Sequence, residues 1–206
     1  MDKLLFPDYK NCILSIPNSI LSFYGAKTHH DTLNLIDEKL NKKYRNVVLY
    51  IFDGLGMEIL QKHSPNGFFM KNCLTQLTSV YPCTTTTALT TYQNGLSPIE
   101  HAWLGWAQYF KEIDKCVELF NGNDSYTDLP DADYDVVSKN IGYRNLFQQI
   151  NEVDPQIVCH DVSAFGDIIT SSNQEICTNI LELCGSAERH YIYAYNNEPD
   201  GLMHRL

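Results

Sequence analysis

A nearly continuous apolar run at residues 46–52 favours a strand buried on both faces of a parallel sheet, and shorter apolar segments recur later along the chain. We predict strands at residues 46–52, 74–80, 156–162 and 190–195. Segments with apolar residues at helical spacing follow several of these runs, so that strand, turn and helix repeat along the chain. This order predicts an α/β fold.

Helical spacing and capping signals predict the helices that accompany these strands. We expect helices at residues 18–24, 31–42, 56–63 and 88–95, and one more after the capping-box sequence at 172–175. The last of these helices carries Ile176, Ile180 and Cys184 on one face, which predicts packing against the sheet.

The length of 206 residues is typical of one domain, and no repeat or linker divides it. We therefore predict a single domain over residues 1–206, with a helical lead-in at residues 1–45. Residues 121–138 are rich in Gly, Pro, Asn and Asp, which predicts a surface loop. A calcium loop is a less favoured alternative, because the EF-hand order of ligands is missing.

Acidic residues outnumber basic ones by 25 to 15, for a formal net charge of -10. This charge repels phosphate backbones and anionic lipids, so neither a nucleic-acid polymer nor a membrane is an expected partner. A phosphate-bearing substrate would need a local cation. Seven scattered cysteines without a C-x-x-C pair predict neither disulfides nor a thiolate zinc site. With no signal-peptide pattern, we predict a cytoplasmic protein, whose oligomeric state does not follow from the sequence.

Polar residues that follow the predicted strands are the candidates for chemistry, because parallel sheets bind ligands beyond the carboxyl ends of their strands. Asp53 follows the first strand as either a metal ligand or a helix cap, and taken alone the cap is favoured. Threonines 84–87 open a helix, where they either hold an anion or form a Thr-rich cap. Asp200 and His204 follow the last strand at i, i+4 spacing, which places the two side chains together on a helical turn.

The segment after the second run reads P-C-T-T-T-T-A-L-T-T-Y-Q-N-G-L-S-P-I-E-H, from Pro82 to His101. It resembles, without a gap, the nucleophile region of type I phosphodiesterases and nucleotide pyrophosphatases, a branch of the alkaline phosphatase superfamily. That family has a nucleophilic Thr three residues after a Pro, as Thr85 follows Pro82. A Gly-Leu-x-Pro-x-x-His sequence comes later in the family and matches Gly95 to His101.

Two further places match the same family. Its first metal-binding Asp closes a buried strand and precedes Gly, as Asp53 precedes Gly54. Its Asp-x-x-x-His metal pair follows a Tyr-rich strand, as Asp200 and His204 do. The resemblance is strong over residues 46–110 and good over the last 17 residues.

The resemblance implies an alkaline phosphatase-like fold, with a mostly parallel sheet and helices on both faces, and a phosphoryl-transfer site with two divalent metals, expected to be zinc. Asp53 and Thr85 would bind one metal, and Asp200 and His204 the other. Thr85 would be the nucleophile in the hydrolysis of a small phosphoester, activated by its metal. The two metals would also offset the repulsion from the net charge of -10.

Several positions depart from the family pattern. Ala88 stands where the branch usually has Asn, and Ala102 where Gly is usual. Trp106 falls near the place of an Asn that binds a phosphoryl oxygen in nucleotide-hydrolysing members, so nucleotide specificity does not carry over. Trp103, Trp106 and Tyr109 would either wall a pocket for a flat group or pack in the core, and core packing is favoured.

Family members complete the two metal sites with a later Asp-His pair and a distant His. This sequence contains no Asp-His pair, so each metal has at most two protein side chains besides Thr85. The resemblance therefore implies the N-terminal portion of a catalytic domain, inactive by itself. The alternative is a non-catalytic pseudoenzyme or fragment that acts as a binding module. Sulfatases and cofactor-independent phosphoglycerate mutases match less well, because the formylglycine motif is missing and the mutase nucleophile is Ser.

Overall fold

The computed structural model describes residues 6–130 and 132–206. The chain divides into two compact units, each made of two stretches. Unit 1 comprises Met1–Asn41 and Leu77–Gln149, and unit 2 comprises Lys42–Gln76 and Ile150–Leu206. This division into units does not test the single domain that the length predicts, so the single domain stays a prediction. All seven cysteines are free thiols in this structure.

The helices and strands are numbered in chain order. Along the described residues the helices are α1 (Ser15–Phe23), α2 (Asn34–Leu40), α3 (Met57–His63), α4 (Phe68–Lys71), α5 (Thr85–Asn94), α6 (Pro98–His101), α7 (Val136–Ile141), α8 (Leu146–Val153), α9 (Asn173–Gly185) and α10 (Asp200–Met203). The strands are β1 (Asn46–Phe52), β2 (Ala107–Phe110), β3 (Lys115–Glu118), β4 (Ile157–Ser163), β5 (Ile168–Ile169) and β6 (Arg189–Asn196). Within those residues no helix combines the length and the apolar character needed to cross a membrane.

Unit 2 is built on a four-stranded parallel sheet in the order β1-β6-β4-β5, flanked by helices. The α/β class is therefore confirmed. Three of the four predicted strands, β1, β4 and β6, form within one residue of their predicted bounds. The central strand β6 is buried from His190 to Ala194, which explains its continuous apolar run. Phe52 pairs with Asn196, so β1 and β6 end together at one edge of the sheet.

Helix α9 packs against this sheet as its sequence pattern predicts. Ser172 caps its N-terminus, because the Ser172 side chain accepts a hydrogen bond from the Glu175 backbone N–H. Ile176 is buried with Ile192 and Ala194 of the central strand, and the other two predicted residues pack at the margin of this cluster. The helix therefore begins above the carboxyl edge of the sheet.

The strand predicted at residues 74–80 is wrong. Only an isolated bridge between Thr78 and Cys12 forms there. Leu74 is 55% exposed, whereas Val80 is fully buried in a small cluster with Cys12 and Leu14. The apolar residues of this run thus lie in different surroundings and do not form one buried strand face.

Unit 1 contains a hairpin, β2–β3, that the sequence pattern did not reveal. Phe110 and Val117 on its inner face share a core with Trp103 and Val136. The predicted surface loop ends earlier than expected, because Asp135 caps α7 and Val136 is buried. Asp131 of that loop lies outside the described residues.

The predicted helical lead-in contains α1 and α2, and residues 1–5 of it lie outside the described residues. Helix α1 begins three residues earlier than predicted, with Pro17 in its first turn, where proline needs no intrahelical hydrogen-bond partner. Helix α2 is shorter than predicted, and Leu33 at its N-cap provides no side-chain cap.

Candidate functional site

The carboxyl end of β1 leads directly to Asp53, whose backbone N–H donates to the Asn196 carbonyl at 2.9 Å. Its Oδ2 accepts a 2.8 Å hydrogen bond from the Tyr195 hydroxyl. Helix α3 instead has Gly56 at its N-cap, without a side-chain cap. Gly56, and not Asp53, is therefore the N-cap residue of α3, and the carboxylate of Asp53 accepts a hydrogen bond from the neighbouring strand.

Tyr195 is a partner of this site that sequence reasoning missed. Burial, together with the nearby carboxylates of Asp53 and Asp200, raises the pKa of Tyr195 well above its ordinary value. Its hydroxyl thus keeps its proton at neutral pH and remains a donor to Asp53. The alternation of Tyr191, Tyr193 and Tyr195 along β6 was the available signal, because alternate residues of a strand share one face.

Asp200 begins α10, and its backbone N–H donates to the Asp53 carbonyl at 3.1 Å. The turn after β1 makes this approach possible through Gly54, which has a φ of +72°. A Cβ at Gly54 would lie 2.9 Å from the Asp200 nitrogen and 2.8 Å from Cε of Met203. Glycine is therefore needed where the first predicted metal ligand meets the segment that carries the second.

The predicted i, i+4 pair forms, with 3.3 Å between Oδ2 of Asp200 and Nε2 of His204. The Asp200 side chain is 34% exposed and that of His204 is 80% exposed. Nearby Glu198 is paired with Arg205 at 2.6 Å. Because Arg205 neutralises Glu198, the carboxylates of Asp53 and Asp200 supply the negative charge at this edge of unit 2. This negative charge favours the binding of a cation.

The donor types at this edge suit zinc, which accepts carboxylate oxygen and imidazole nitrogen. In the part of the chain that the structure describes, no group of three or more His, Cys, Asp or Glu side chains is arranged to hold a metal ion. The chemistry of Asp53, Asp200 and His204 therefore fits a divalent metal, whereas the number of converging donors among those residues does not complete a site.

The predicted nucleophile, Thr85, belongs to unit 1, where it is the first residue of α5. The preceding residue, Thr84, is the cap, because its Oγ1 accepts a 3.3 Å hydrogen bond from the Thr87 backbone N–H. The helix ends at Gly95 in the left-handed conformation, as predicted. Thr84 therefore caps the helix, whereas Thr85 is half-buried and begins the helix without capping it.

Helix α5 is held in place by buried side-chain hydrogen bonds. Thr87 Oγ1 donates to the Trp103 carbonyl at 2.9 Å, and Thr91 Oγ1 lies 3.1 Å from Nε2 of His101. Nδ1 of His101 accepts from the Trp103 backbone N–H, so Nε2 carries the proton and donates to Thr91. Burial lowers the pKa of His101 to about 4, which keeps the ring neutral at pH 7. His101 lies in the motif that carries the resemblance, yet the sequence did not reveal this supporting role.

The aromatic residues after the motif divide between core and surface. Trp103 is 8% exposed and its Nε1 donates to the Ile141 carbonyl, so core packing is confirmed for it. Core packing is wrong for Trp106 and Tyr109, which are 56% and 59% exposed. Tyr109 alternates with inward-facing Phe110 along β2, and strand alternation places it outside.

The calcium alternative finds no support in the loop that suggested it. Asp124 is buried, and its Oδ1 accepts hydrogen bonds from the backbone N–H groups of Tyr126 and Thr127. Its other oxygen lies 3.5 Å from the Lys115 ammonium. This carboxylate therefore stabilises the loop itself.

No family model, curated protein or solved structure matches this chain. The resemblance to type I phosphodiesterases therefore rests on the motif residues of the chain itself.

Proposed function

We propose that this chain is a metal-dependent phosphoric-ester hydrolase with an alkaline phosphatase-like fold, similar to type I phosphodiesterases and nucleotide pyrophosphatases. The observation that carries the proposal is the 3.1 Å hydrogen bond between the Asp200 nitrogen and the Asp53 carbonyl. It joins two residues that are distant in sequence at the carboxyl ends of neighbouring parallel strands, where α/β sheets bind their ligands.

In this proposal Asp53, Asp200 and His204 are ligands of two zinc ions. When bound, zinc lowers the pKa of a coordinated hydroxyl and offsets the charge of a phosphoryl group. Tyr195 fixes the orientation of the Asp53 carboxylate through its 2.8 Å hydrogen bond. Gly54 allows the close approach of Asp200.

Thr85 is the proposed nucleophile. Its Oγ1 forms a bond to phosphorus while the bond from phosphorus to the leaving alcohol breaks, and the alcohol takes up a proton. Water then cleaves the phosphoryl group from Thr85 and restores its hydroxyl. The backbone N–H groups and the positive dipole end at the start of the ten-residue α5 favour the negative charge of the transferring group.

The proposed substrate is a small phosphoester in the cytoplasm. The formal charge of -10 disfavours a polyanion, because a polymer would extend beyond the few cations of a local site.

A non-catalytic binding module is the second candidate. It is favoured by the partners of the predicted ligands, because Asp53 is engaged by Tyr195 and Asp200 by His204. Such a chain would bind a ligand at this edge without turnover.

Hydrolysis of bis(4-nitrophenyl) phosphate with and without zinc distinguishes these candidates. Because the donors that converge among the described residues do not complete a metal site, we expect at most slow zinc-dependent release of 4-nitrophenolate by this chain, and we expect that release to be lost in Thr85→Ala. Thr178→Ala is the matched control, because Thr178 is an exposed residue of α9. Turnover that survives in Thr85→Ala contradicts the proposed nucleophile, and zinc binding without turnover favours the binding module.

A further inference from the structure

Strand β1 lies at one edge of the sheet of unit 2. It pairs with β6 on one side, and among the described residues no strand pairs with it on the other. Its sequence is nevertheless that of an interior strand, because every residue from Val47 to Phe52 is apolar or aromatic. The interior strand β6 is buried from His190 to Ala194, whereas only Val47 of β1 is buried. The apolar character of β1 thus exceeds what its edge position buries.

This edge lacks the features that usually protect an unpaired strand. Natural edge strands are blocked by lysine, by proline, by a bulge or by being very short. Residues 46–52 contain neither a charged residue nor a proline, and their register with β6 runs without a bulge. The strand at the opposite edge, β5, has only two residues. Strand β1 is therefore the edge of this sheet that is open to a further strand.

The register with β6 shows which backbone groups point to the open side. The Asp53 N–H donates to the Asn196 carbonyl, and the Arg45 carbonyl accepts from the His190 N–H. Backbone groups alternate in direction along a strand, so the odd-numbered residues of β1 face β6. The even-numbered residues direct their backbone N–H and C=O groups to the open side, namely Asn46, Val48, Tyr50 and Phe52.

Exposed aromatic side chains adjoin this edge. The rings of Phe52 and Phe69 lie 5.2 Å apart, and those of Phe69 and Phe68 lie 5.7 Å apart. Phe68 is 75% exposed and Phe69 is 43% exposed. An apolar patch beside an open strand is typical of an interaction surface that adds a strand to the sheet.

Opposite charges flank the two ends of β1, and they indicate which strand fits there. Lys42, Lys43 and Arg45 precede the strand, whereas Asp53 follows it and Glu58 lies in the first turn of α3. An antiparallel copy of the same strand brings its acidic end beside the basic end of the first. A parallel copy brings like charges together, which is unfavourable. The charges therefore favour a second copy of this chain in the antiparallel orientation, which is a self-complementary contact.

The outward backbone groups and the charges select the same register. Pairing Val48 of one copy with Tyr50 of the second copy centres the two strands on Leu49. All four outward-facing residues of each strand then form hydrogen-bonded pairs. The same register places Arg45 opposite Asp53 of the second copy. A shift by two residues leaves one outward-facing residue of each strand without a partner and separates the two charges.

We propose that β1 pairs antiparallel with β1 of a second copy of this chain, which joins the two sheets into one continuous sheet. Residues opposite each other across an antiparallel pair have their side chains on the same face. Phe52 and the Phe69 that packs against it therefore lie on one side of the sheet in both copies, next to the seam between them. This pairing goes beyond the proposed hydrolysis and needs neither zinc nor turnover.

Sedimentation equilibrium of the whole chain tests this pairing. We expect a monomer–dimer equilibrium, and we expect Val48→Lys to raise its dissociation constant at least about tenfold, because a charged group is introduced at the seam. Val48 is 38% exposed, so the substitution leaves the buried core of the single copy intact. Ile169→Lys is the matched control, because Ile169 is a 78% exposed residue of the opposite edge strand β5. It should leave the dissociation constant unchanged.

Charge reversal tests the register. Arg45→Glu places two acidic groups opposite each other and should also weaken the dimer at least about tenfold. Lys111→Glu is the control for the change in net charge, because Lys111 is an exposed residue between β2 and β3 of unit 1. This control should dimerise like the wild type.

Amide hydrogen exchange of the wild type provides a measurement that does not depend on the folding of a variant. Exchange at Val48 and Tyr50 should slow as the protein concentration rises, because their N–H groups point to the seam, whereas Leu49 already faces β6. The proposal is overturned if the wild type stays monomeric up to about 1 mM. It is also overturned if Val48→Lys and Arg45→Glu dimerise like their controls, or if exchange at Val48 and Tyr50 does not depend on concentration.

Discussion

The hydroxyl of Tyr195 donates a 2.8 Å hydrogen bond to Oδ2 of Asp53, and this bond ties the end of β6 to the end of β1. Because β1 and β6 are neighbouring parallel strands, it braces the edge where the predicted metal ligands meet. Burial raises the pKa of Tyr195, so the bond persists across the neutral pH range.

We predict that Tyr195→Phe lowers the free energy of unfolding by about 2 kcal/mol, because a hydrogen bond to a half-buried carboxylate is lost. Urea unfolding measures this change. Tyr109→Phe is the matched control, since the Tyr109 hydroxyl also binds a carboxylate, that of Asp114, but on an exposed face. The control should change stability by less than about 0.5 kcal/mol. Equal effects of the two substitutions would contradict a bracing role for Tyr195.

Gly54→Ala should destabilise the chain more than Gly122→Ala. Both glycines have a φ of +72°, so each substitution carries the same backbone strain of roughly 1–2 kcal/mol. A Cβ at Gly122 meets nothing within 4 Å, whereas one at Gly54 would lie 2.9 Å from the Asp200 nitrogen. We expect an additional loss of about 1–3 kcal/mol for Gly54→Ala in urea unfolding. Equal losses of unfolding free energy in the two variants would contradict the close approach of Asp200 to the turn at Gly54.

The stability of the chain should depend on pH through His101. Burial lowers the pKa of His101 to about 4 in the folded chain, against an ordinary value of 6.5. Between these values the unfolded chain binds the proton and the folded chain does not, so the stabilisation is complete above pH 6.5 and is lost as the pH falls towards 4. The loss amounts to about 3 kcal/mol.

Unfolding free energies at pH 7.5 and pH 4.5 check this prediction when the wild type is compared with His101→Gln. Carboxylates titrate in both proteins, so the difference between their pH slopes isolates His101. The variant should show a flatter dependence. Equal slopes, or an NMR titration of the His101 ring with a midpoint near 6.5, would contradict a neutral, buried ring.

Much of the sheet of unit 2 was predictable because its strands carry the expected pattern. Strand β1 is a continuous apolar run after its first residue, β4 and β6 are rich in apolar and β-branched or aromatic residues, and α9 combines a Ser172 cap with a regular apolar face. The hairpin β2–β3 was missed because each strand has only four residues. The strand predicted at residues 74–80 was wrong because its apolar residues do not share one buried face. Leu74 is exposed to solvent, whereas Val80 is buried in a small cluster.

The candidate site was predictable in its residues and not in its contacts. Strand ends and motif spacing pointed to Asp53, Asp200 and His204, whereas the hydrogen bond from Tyr195 depends on β6 pairing with β1. Chain order does not determine that pairing, because these strands are the first and last of the sheet in sequence. The same pairing creates the need for glycine at position 54.

Zinc affinity tests most directly whether the edge formed by β1 and β6 binds a metal. Isothermal titration calorimetry should show zinc binding to the chain, weakened at least about tenfold by Asp200→Asn. Asp167→Asn is the matched control, because Asp167 and His160 form another carboxylate–imidazole pair in unit 2, also at 3.3 Å. This control should leave the zinc affinity unchanged. Absence of zinc binding, or equal weakening by the two substitutions, would contradict a metal site at Asp53, Asp200 and His204.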